Sequence, residues 1–365
     1  MGCGASAIAR PPTTISERPP VRPIYRQALG RIARLGDLYD ATTDNFCKKS
    51  VFGQPLPPDS PAISKTDNPY NDSRRYEVST LEEKCRQLKV TGELQLSILA
   101  GMCEQIQGSA EYLTQKKNSF GTVTRIQISY IKTVTERLEV SHDHVKNYIL
   151  KEAIHHPRAT HVVVEIELGA NCVITTMERK YKVEKKQEAE GVLGWIGSGL
   201  VKAGNYLSGN TNEAETEERT ETSVEILGDV LPDELPQTSA AAQDMMQSIP
   251  QLVQNCNDGK GKPLTYVMIP IGHLDWKKRS QQVTFISIDD ARAMNVVRLF
   301  DRMTELRDGV KKRNEVEARL EGHEAKVKVE LYQLLENVRS GKAAIECLDD
   351  FSDKHRKIAE EISRQ

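Results

Sequence analysis

The clearest pattern along the chain is an alternation of hydrophobic and polar residues in two long stretches. Residues 122–140 and 160–177 each place hydrophobic side chains on one face with a period of two, which is typical of a half-buried β-strand. Both runs are roughly three times the usual strand length. Two shorter strands are predicted at 224–230 and 264–271. The hydrophobic positions of the two long runs are Ile126, Ile128, Tyr130, Val134, Leu138 and Val140, then Val162, Val164, Ile166, Leu168, Ala170, Cys172 and Ile174.

These extended segments follow one another without an intervening crossover helix. Segments connected in this way pair most easily as antiparallel neighbours. The pattern therefore predicts a large, twisted antiparallel sheet within residues 24–275, and the fold class α+β.

A different period governs the last ninety residues. Three hydrophobic stripes with helical spacing predict three amphipathic helices, the first beginning near Ile288, and Gly341 marks the end of the second. Short connections between such helices favour an antiparallel bundle, so residues 276–365 are predicted to form a helical bundle that contacts proteins rather than performing catalysis. The stripes are Val296, Phe300, Met303, Leu306 and Val310; Val316, Leu320, Val327, Leu331, Leu334 and Val338; and Leu348, Phe351, His355, Ile358 and Ile362.

The chain before the first long strand is less regular. Residues 53–73 contain five prolines and are predicted to be a loop, whereas Thr80 and Glu83 have the spacing of a helix-capping box. Residues 92–113 fit both a strand and a helix, because their hydrophobic positions match both periods.

Residues 191–209 combine six glycines with large hydrophobic side chains. Glycine lowers helix stability by up to about 1 kcal/mol per residue relative to alanine, so this segment changes conformation more easily than a core helix. Two interpretations stay open: a helix packed on the sheet, or a segment that interacts with membranes or refolds. The candidate membrane-interacting residues are Val192, Leu193, Trp195, Ile196, Leu200, Val201, Tyr206 and Leu207.

Composition narrows the class of protein. The 365 residues are 38% hydrophobic and 28% charged, and the net charge of -2 provides no overall field that would attract nucleic acid. Seven scattered cysteines favour neither a disulfide framework nor a zinc site. We see no run of about eighteen apolar residues and no signal peptide, so we expect neither an integral helical membrane protein nor conventional secretion.

The first residues suggest a lipid anchor instead. Gly2 and Ser6 fit the pattern for N-myristoylation, and Cys3 is placed for palmitoylation, which stabilises an attachment that one myristoyl chain makes only marginally. Residues 1–23 are predicted to be a disordered, arginine- and proline-rich segment on the cytosolic face of a membrane. Its arginines, together with Arg26, Arg31 and Arg34, either attract an anionic lipid leaflet or belong to a solvated linker.

Catalytic signals are weak. The chain has no dinucleotide-binding, P-loop, nucleophile-elbow or zinc-protease motif. His142 and His144 form one histidine cluster and His155 and His156 another, but neither has a third ligand at metal spacing. His355 is predicted to pack at the edge of the bundle. We therefore expect a protein that is not an enzyme, with no cofactor and no metal.

Several short stretches resemble the N-terminal domain of the stonefish toxins, the stonustoxin family. They occur in the order found in that family and span nearly all of residues 24–275. They are 28–31 (ALGR), 35–41 (LGDLYDA), 108–113 (GSAEYL), 159–163 (ATHVV), 266–271 (YVMIPI) and 273–275 (HLD).

The resemblance implies a fold of the MACPF and cholesterol-dependent cytolysin (CDC) superfamily: a bent antiparallel sheet with two helical clusters that unfurl into membrane-spanning hairpins. Residues 99–120 and 183–220 are similar in position to those clusters, because each lies between consecutive extended segments if residues 94–98 count as one. The family also has a helical domain resembling a focal-adhesion-targeting bundle after this domain, in agreement with the stripes of residues 276–365.

Two functions follow as hypotheses. One is a membrane-acting module that self-associates and inserts into or remodels lipid. The other is a non-lytic adaptor, anchored at the cytosolic leaflet, whose helical bundle binds a partner protein.

Overall fold

A computed structural model describes residues 22–76, 80–103, 106–114, 122–184, 216–236, 238–274, 285–310 and 313–365. Within these residues, eight strands form one antiparallel sheet, and eight α-helices and two 3₁₀ helices surround it. The strands are β1 Ile24–Gln27, β2 Asp37–Asp40, β3 Asn45–Ser50, β4 Ile63–Tyr76, β5 Thr122–Leu138, β6 His161–Glu184, β7 Thr216–Gly228 and β8 Lys262–Pro270. The α-helices are α1 Leu81–Gln87, α2 Gly92–Leu99, α3 Asp143–Lys146, α4 Lys151–Ile154, α5 Ser239–Gln254, α6 Asp290–Gly309, α7 Asn314–Arg339 and α8 Cys347–Arg364, and the 3₁₀ helices are Gly108–Leu113 and Ile271–Leu274.

The centre of the sheet is β6, which pairs with β2, β5, β7 and β8. The two long strands predicted from the alternation are confirmed as β5 and β6, and the two shorter ones as β7 and β8. β7 begins at Thr216, earlier than predicted, because its polar first half pairs with the end of β6. The predicted fold class, α+β with an antiparallel sheet, is therefore correct.

The predicted loop at residues 53–73 is partly wrong, because β4 begins at Ile63. β4 is an edge strand whose side chains are mostly exposed, so the period-two signal of a buried face is missing. Its strand conformation comes from antiparallel pairing with β5. Pro69 lies within the bulge between Asp67 and Tyr70, where a proline costs no ladder hydrogen bond.

Bulges in neighbouring strands line up and bend the sheet. β4 is irregular between Asp67 and Tyr70, and the facing part of β5 is irregular between Lys132 and Thr135. A bulge kinks its strand and increases the local twist. At the same level β6 exchanges partners, since Gly169 is the last residue paired with β8 and β7 pairing begins at Cys172.

Gly169 allows the strands to approach closely at this bend. A Cβ atom there would lie 1.9 Å from the carbonyl oxygen of Ile131, and one at Gly261 would lie 2.2 Å from the carbonyl oxygen of Gly169. The hydroxyl of Thr133 in β5 donates to the carbonyl oxygen of Lys260 at 2.6 Å. This hydrogen bond attaches the turn before β8 to β5 at the bend. Lys260 also donates to Glu136 at 3.0 Å.

Helices cover both faces of the sheet. On one face Ile126, Ile128 and Val173 pack with α1, α2 and the first 3₁₀ helix. On the other, Ile131 and Ile174 pack with α5, a helix for which the sequence analysis made no prediction. Because each face has its own hydrophobic core, residues of β5 that break the alternation, such as Ile131, are buried as well.

The three predicted C-terminal helices are confirmed as α6, α7 and α8. α6 begins at Asp290, with Asp289 as its N-cap, and Gly341 follows the end of α7 with a φ of 74°. His355 is fully buried between α7 and α8, rather than at the bundle edge. The core of these helices also contains Leu96 and Met102, so the division of the chain between residues 275 and 276 stays a prediction.

Candidate functional site

The connection between β4 and β5, residues 77–121, contains α1, α2 and the 3₁₀ helix Gly108–Leu113 in its described part. The first predicted cluster, residues 99–120, lies within this connection but omits α1 and most of α2. The placement of that cluster between two extended segments required residues 94–98 to be extended, and this condition is not met because they form α2. The capping box at the start of α1 is confirmed, since Thr80 and Glu83 each bond the backbone N–H of the other.

The second connection, between β6 and β7, comprises residues 185–215 and lies outside the described residues. The second predicted cluster, 183–220, overlaps the paired ends of both strands. Gly2 and Cys3 also lie outside the described residues. All eight candidate membrane-interacting residues lie in the second connection: Val192, Leu193, Trp195, Ile196, Leu200, Val201, Tyr206 and Leu207.

Both connections leave the sheet at the same end. Tyr76 pairs with Ile126 near the start of β5, Thr122 pairs with Arg179 near the end of β6, and Glu184 pairs with Thr216 at the start of β7. The four consecutive strands β4, β5, β6 and β7 therefore form two hairpin-like units, side by side, whose connections face the same direction.

A partly buried carboxylate joins the first connection to the sheet. The Oδ1 atom of Asp229 accepts from the backbone N–H of Ser109 at 3.1 Å and from its hydroxyl at 2.8 Å. Its Oδ2 atom accepts from the N–H of Asn171 in β6 at 2.8 Å. Burial raises the pKa of Asp229, opposed by these hydrogen bonds. Gly108 has a φ of 64°, and a Cβ there would lie 2.8 Å from the Oδ1 atom of Asp229.

Two lysines make further contacts, one between this connection and the sheet and the other within the connection. The ammonium group of Lys89, between α1 and α2, lies 3.5 Å from the ring centroid of Tyr130 in β5 and 5.6 Å from that of Tyr70 in β4. Lys84 in α1 donates to the carbonyl oxygen of Tyr112 at 3.2 Å, and burial lowers the pKa of Lys84 to about 8. Cation–π contacts of this kind contribute about 0.5–2 kcal/mol each.

A cluster of buried charges lies at the first turn of α2. Arg26 in β1 donates to Asp44 at 2.7 Å and to Glu93 in α2 at 2.9 Å. Arg339, the last residue of α7, donates to Asp44 at 2.8 Å and lies 3.6 Å from Glu93. We call Arg26, Asp44, Glu93 and Arg339 the charge cluster. Their side chains are at most 5% exposed.

Neutral groups complete the charge cluster. The hydroxyl of Tyr39 donates to Asp44 at 2.8 Å, and the hydroxyl of Ser97 donates to the other carboxylate oxygen. Burial alone would raise the pKa of Asp44, but Arg26 and Arg339 hold it far below its usual range. Asp44 is therefore ionised at neutral pH.

Several of the stretches that resemble the toxins make contacts near the charge cluster or with Asp229. Arg31 donates to the carbonyl oxygen of Asp44, and the hydroxyl of Tyr266 donates to the carbonyl oxygen of Arg31. Thr160 accepts from the N–H of Ala41 at 2.8 Å. The segment 108–113 is the 3₁₀ helix that contacts Asp229. The resemblance therefore falls on residues that position β1, β2, β8 and the first connection.

For Arg26 and Arg31 both hypotheses, attraction to anionic lipid and a solvated linker, are wrong because both side chains are buried in the protein. Glu93 and Arg339 were not predicted as members of a site. A usable signal exists for Glu93, a charged residue in the otherwise apolar and neutral run from 90 to 102. Such a residue is buried only when it is paired.

The described residues contain no group of histidine, cysteine and acidic side chains arranged to hold a metal ion. No helix among them is both long and apolar enough to cross a bilayer. The features that stand out are thus the bent sheet, its two parallel hairpin-like units and the polar contacts that hold α1 and α2.

The chain is similar to several known proteins. Residues 23–290 match the family described as the SNTX, MACPF/CDC-like domain. Verrucotoxin subunit beta of Synanceia verrucosa is 27% identical over 249 residues, covering 67% of this chain and 34% of the toxin subunit. Cytolytic toxin-beta of Scorpaena plumieri is 24% identical over 246 residues, with the same coverage. The solved stonustoxin structure has a TM-score of 0.49 at 16% identity, covering 93% of this chain and 49% of that chain.

A bent antiparallel sheet, with helices between the long strands β4 and β5, is the architecture of a MACPF/CDC-like domain. Since the family match covers residues 23–290, the chain is a member of the SNTX MACPF/CDC-like family. The chain spans about a third of the length of the toxin subunits that it matches.

Proposed function

We propose that this protein acts on membranes without being an enzyme, by forming pores or remodelling lipid through its MACPF/CDC-like domain. The observation that carries the proposal is the arrangement of the four long strands. Their two connections, residues 77–121 and 185–215, leave the sheet at the same end. Extended conformations of both connections would continue the four strands in one direction.

The lengths of the connections support this proposal. The first has 45 residues (77–121) and the second 31 (185–215). A membrane-spanning strand needs about 9–11 residues, so each connection is long enough for a hairpin of two strands and a turn. One copy would supply only two hairpins, and a β-structure in a bilayer must close on itself to satisfy its edges, so the active form is an oligomer.

The candidate membrane-interacting and acylated residues, which lie outside the described residues, also have roles in the proposal. Val192, Leu193, Trp195, Ile196, Leu200, Val201, Tyr206 and Leu207 lie in the second connection and would contact lipid. Acyl groups on Gly2 and Cys3 would hold the protein at the cytosolic leaflet before insertion. Gly2→Ala, which blocks myristoylation, should then move the protein from the membrane fraction of cells to the soluble fraction.

Dye release from vesicles tests the proposal. Purified protein is added to vesicles with and without anionic lipid, and the fluorescence of Trp195 is followed in a Trp276→Phe variant, because the chain has two tryptophans. Insertion should release the dye and shift the emission of Trp195 to shorter wavelength. Vesicle binding without dye release or a tryptophan shift would contradict insertion and favour the adaptor.

A further inference from the structure

Arg339 is fully buried although it ends a helix of the C-terminal region. Its guanidinium contacts groups that precede residue 103 in the sequence. It donates to the carbonyl oxygen of Thr42 at 3.1 Å, to Asp44 at 2.8 Å and to the carbonyl oxygen of Glu93 at 3.2 Å. The end of α7 thus reaches both the β2–β3 turn and the first turn of α2.

Ionic pairing makes this contact specific. Asp44 and Glu93 lie between two arginines, and each arginine contacts both carboxylates. Removing one member of a buried ionic group leaves the others uncompensated, which is far more costly than losing a surface pair. The position of α2 on the sheet therefore depends on a residue from α7.

The residues just before α6, together with its first residue, add a second set of contacts with α2. Glu93 accepts from the N–H of Ile288 at 3.1 Å and from the hydroxyl of Ser287 at 3.0 Å. Asp290 accepts from the N–H of Gly92, the first residue of α2, at 2.7 Å. First-turn N–H groups have no partner within their own helix, and a carboxylate there also interacts favourably with the helix dipole.

α6 contacts the start of α1 in the same way. Asp301 accepts from the N–H groups of Leu81 at 2.6 Å and Glu82 at 3.2 Å. Arg298 donates to the Glu82 carboxylate at 2.8 Å. Both helices of the first connection thus begin at a carboxylate from α6, and hydrophobic residues of α2 also pack in the core of the C-terminal helices.

We propose that the C-terminal helices are an intramolecular clamp that keeps α1 and α2 folded against the sheet, with Arg339 as its central residue. The charge cluster must open, and Asp290 and Asp301 must leave the first turns of α2 and α1, before the first connection can extend. The consequence for insertion rests on the proposed function, whereas the clamp itself is a property of the protein without a membrane.

Hydrogen exchange of the full chain in solution tests the clamp. Arg339→Lys keeps the buried charge but replaces the fork that reaches Thr42, Asp44 and Glu93 together. We expect amides of α2 to exchange at least tenfold faster than in the wild-type protein, with the paired amides of β5 and β6 changed less than twofold. Arg319→Lys is the matched control, because it makes the same replacement at an exposed position of α7 and should leave α2 unchanged.

Two results would overturn the clamp: unchanged exchange in α2, or equal acceleration in α2 and in β5 and β6, which would make Arg339 an ordinary core residue. If Arg339→Lys fails to fold, Asp290→Ala decides, because Asp290 is exposed and the substitution removes the oxygen that accepts from the first turn of α2. It should accelerate exchange at the start of α2, and an unchanged rate there would contradict the proposal. None of these measurements uses lipid, so a failure to release dye counts against the proposed function alone.

Discussion

His161 is a buried titratable side chain beside the charge cluster. It is 3% exposed and lies 2.8 Å from the hydroxyl of Thr160. Burial, reinforced by the positive charge of Arg26, lowers the pKa of His161 from 6.5 to about 4. Between these values the unfolded chain binds a proton that the folded protein excludes, so the free energy of unfolding falls as the pH falls. We expect His161 to account for a loss of about 2 kcal/mol between pH 7 and pH 5, measured by urea unfolding.

His161→Gln is the control for this prediction, since glutamine can bond Thr160 but does not titrate. The variant should lose less stability on the same change of pH, by about the contribution of His161. His355, whose pKa is also lowered by burial, is present in both proteins and cancels in the comparison. Equal losses in the two proteins would show that His161 is not responsible.

The charge cluster shows which residues could not be predicted from the sequence. Arg26 was grouped with a basic tail because its neighbours in the sequence are arginines and prolines. Its partner Glu93 is 67 positions away, and Arg339 is 295 positions from Asp44. Periodicity and composition report local order, so they mark Glu93 as an unusual charge in a neutral run but cannot identify the arginines that pair with it.

At the level of elements, the three C-terminal helices could be predicted because each buries one face, whereas α2 and β4 do not and could not be assigned. α6, α7 and α8 each bury one stripe, which gives a period of 3.6. α2 buries six consecutive residues, Gly92 to Ser97. No single face of the helix is apolar, and this is why its sequence fits both a helix and a strand. β4 could not be predicted for the opposite reason: nearly all of its side chains are exposed, so it has no buried face. Its strand conformation comes from backbone pairing with β5.

The bend of the sheet depends on Gly169 in β6. A methyl group there would lie 1.9 Å from the carbonyl oxygen of Ile131, and this oxygen belongs to the backbone of β5, so the strands themselves must move. Gly169→Ala should therefore lower the free energy of unfolding by about 3 kcal/mol, measured by urea denaturation. Gly322→Ala is the matched control, because the Cβ atom there meets nothing within 4 Å and alanine stabilises a helix by about 1 kcal/mol. A small loss for Gly169→Ala would mean that the bend adjusts easily.

At the level of the whole molecule, the first connection contacts both the sheet and the C-terminal helices. One side of it contacts the sheet through Ser109, Asp229 and the ring of Tyr130. The other side contacts α6 and α7 through Asp301, Asp290 and the charge cluster. Extension of the connection thus requires both sets of contacts to open, and the C-terminal helices have to move relative to α2.

A reversible cross-link between α2 and α6 tests this requirement in the vesicle assay. A Cβ atom at Gly92 would lie 2.9 Å from the Cβ of Ala293, so a disulfide between Gly92→Cys and Ala293→Cys needs a shift of about 1 Å to reach its usual separation. The oxidised double variant should bind vesicles and release no dye, because α2 cannot leave α6, and a reducing agent should restore the release. Each single variant, oxidised in the same way, controls for the substitutions, and peptide mapping shows which cysteines are joined. Dye release that is equal before and after reduction, with the cross-link verified, would show that α2 stays on α6 while the protein acts, and that any insertion uses the second connection alone.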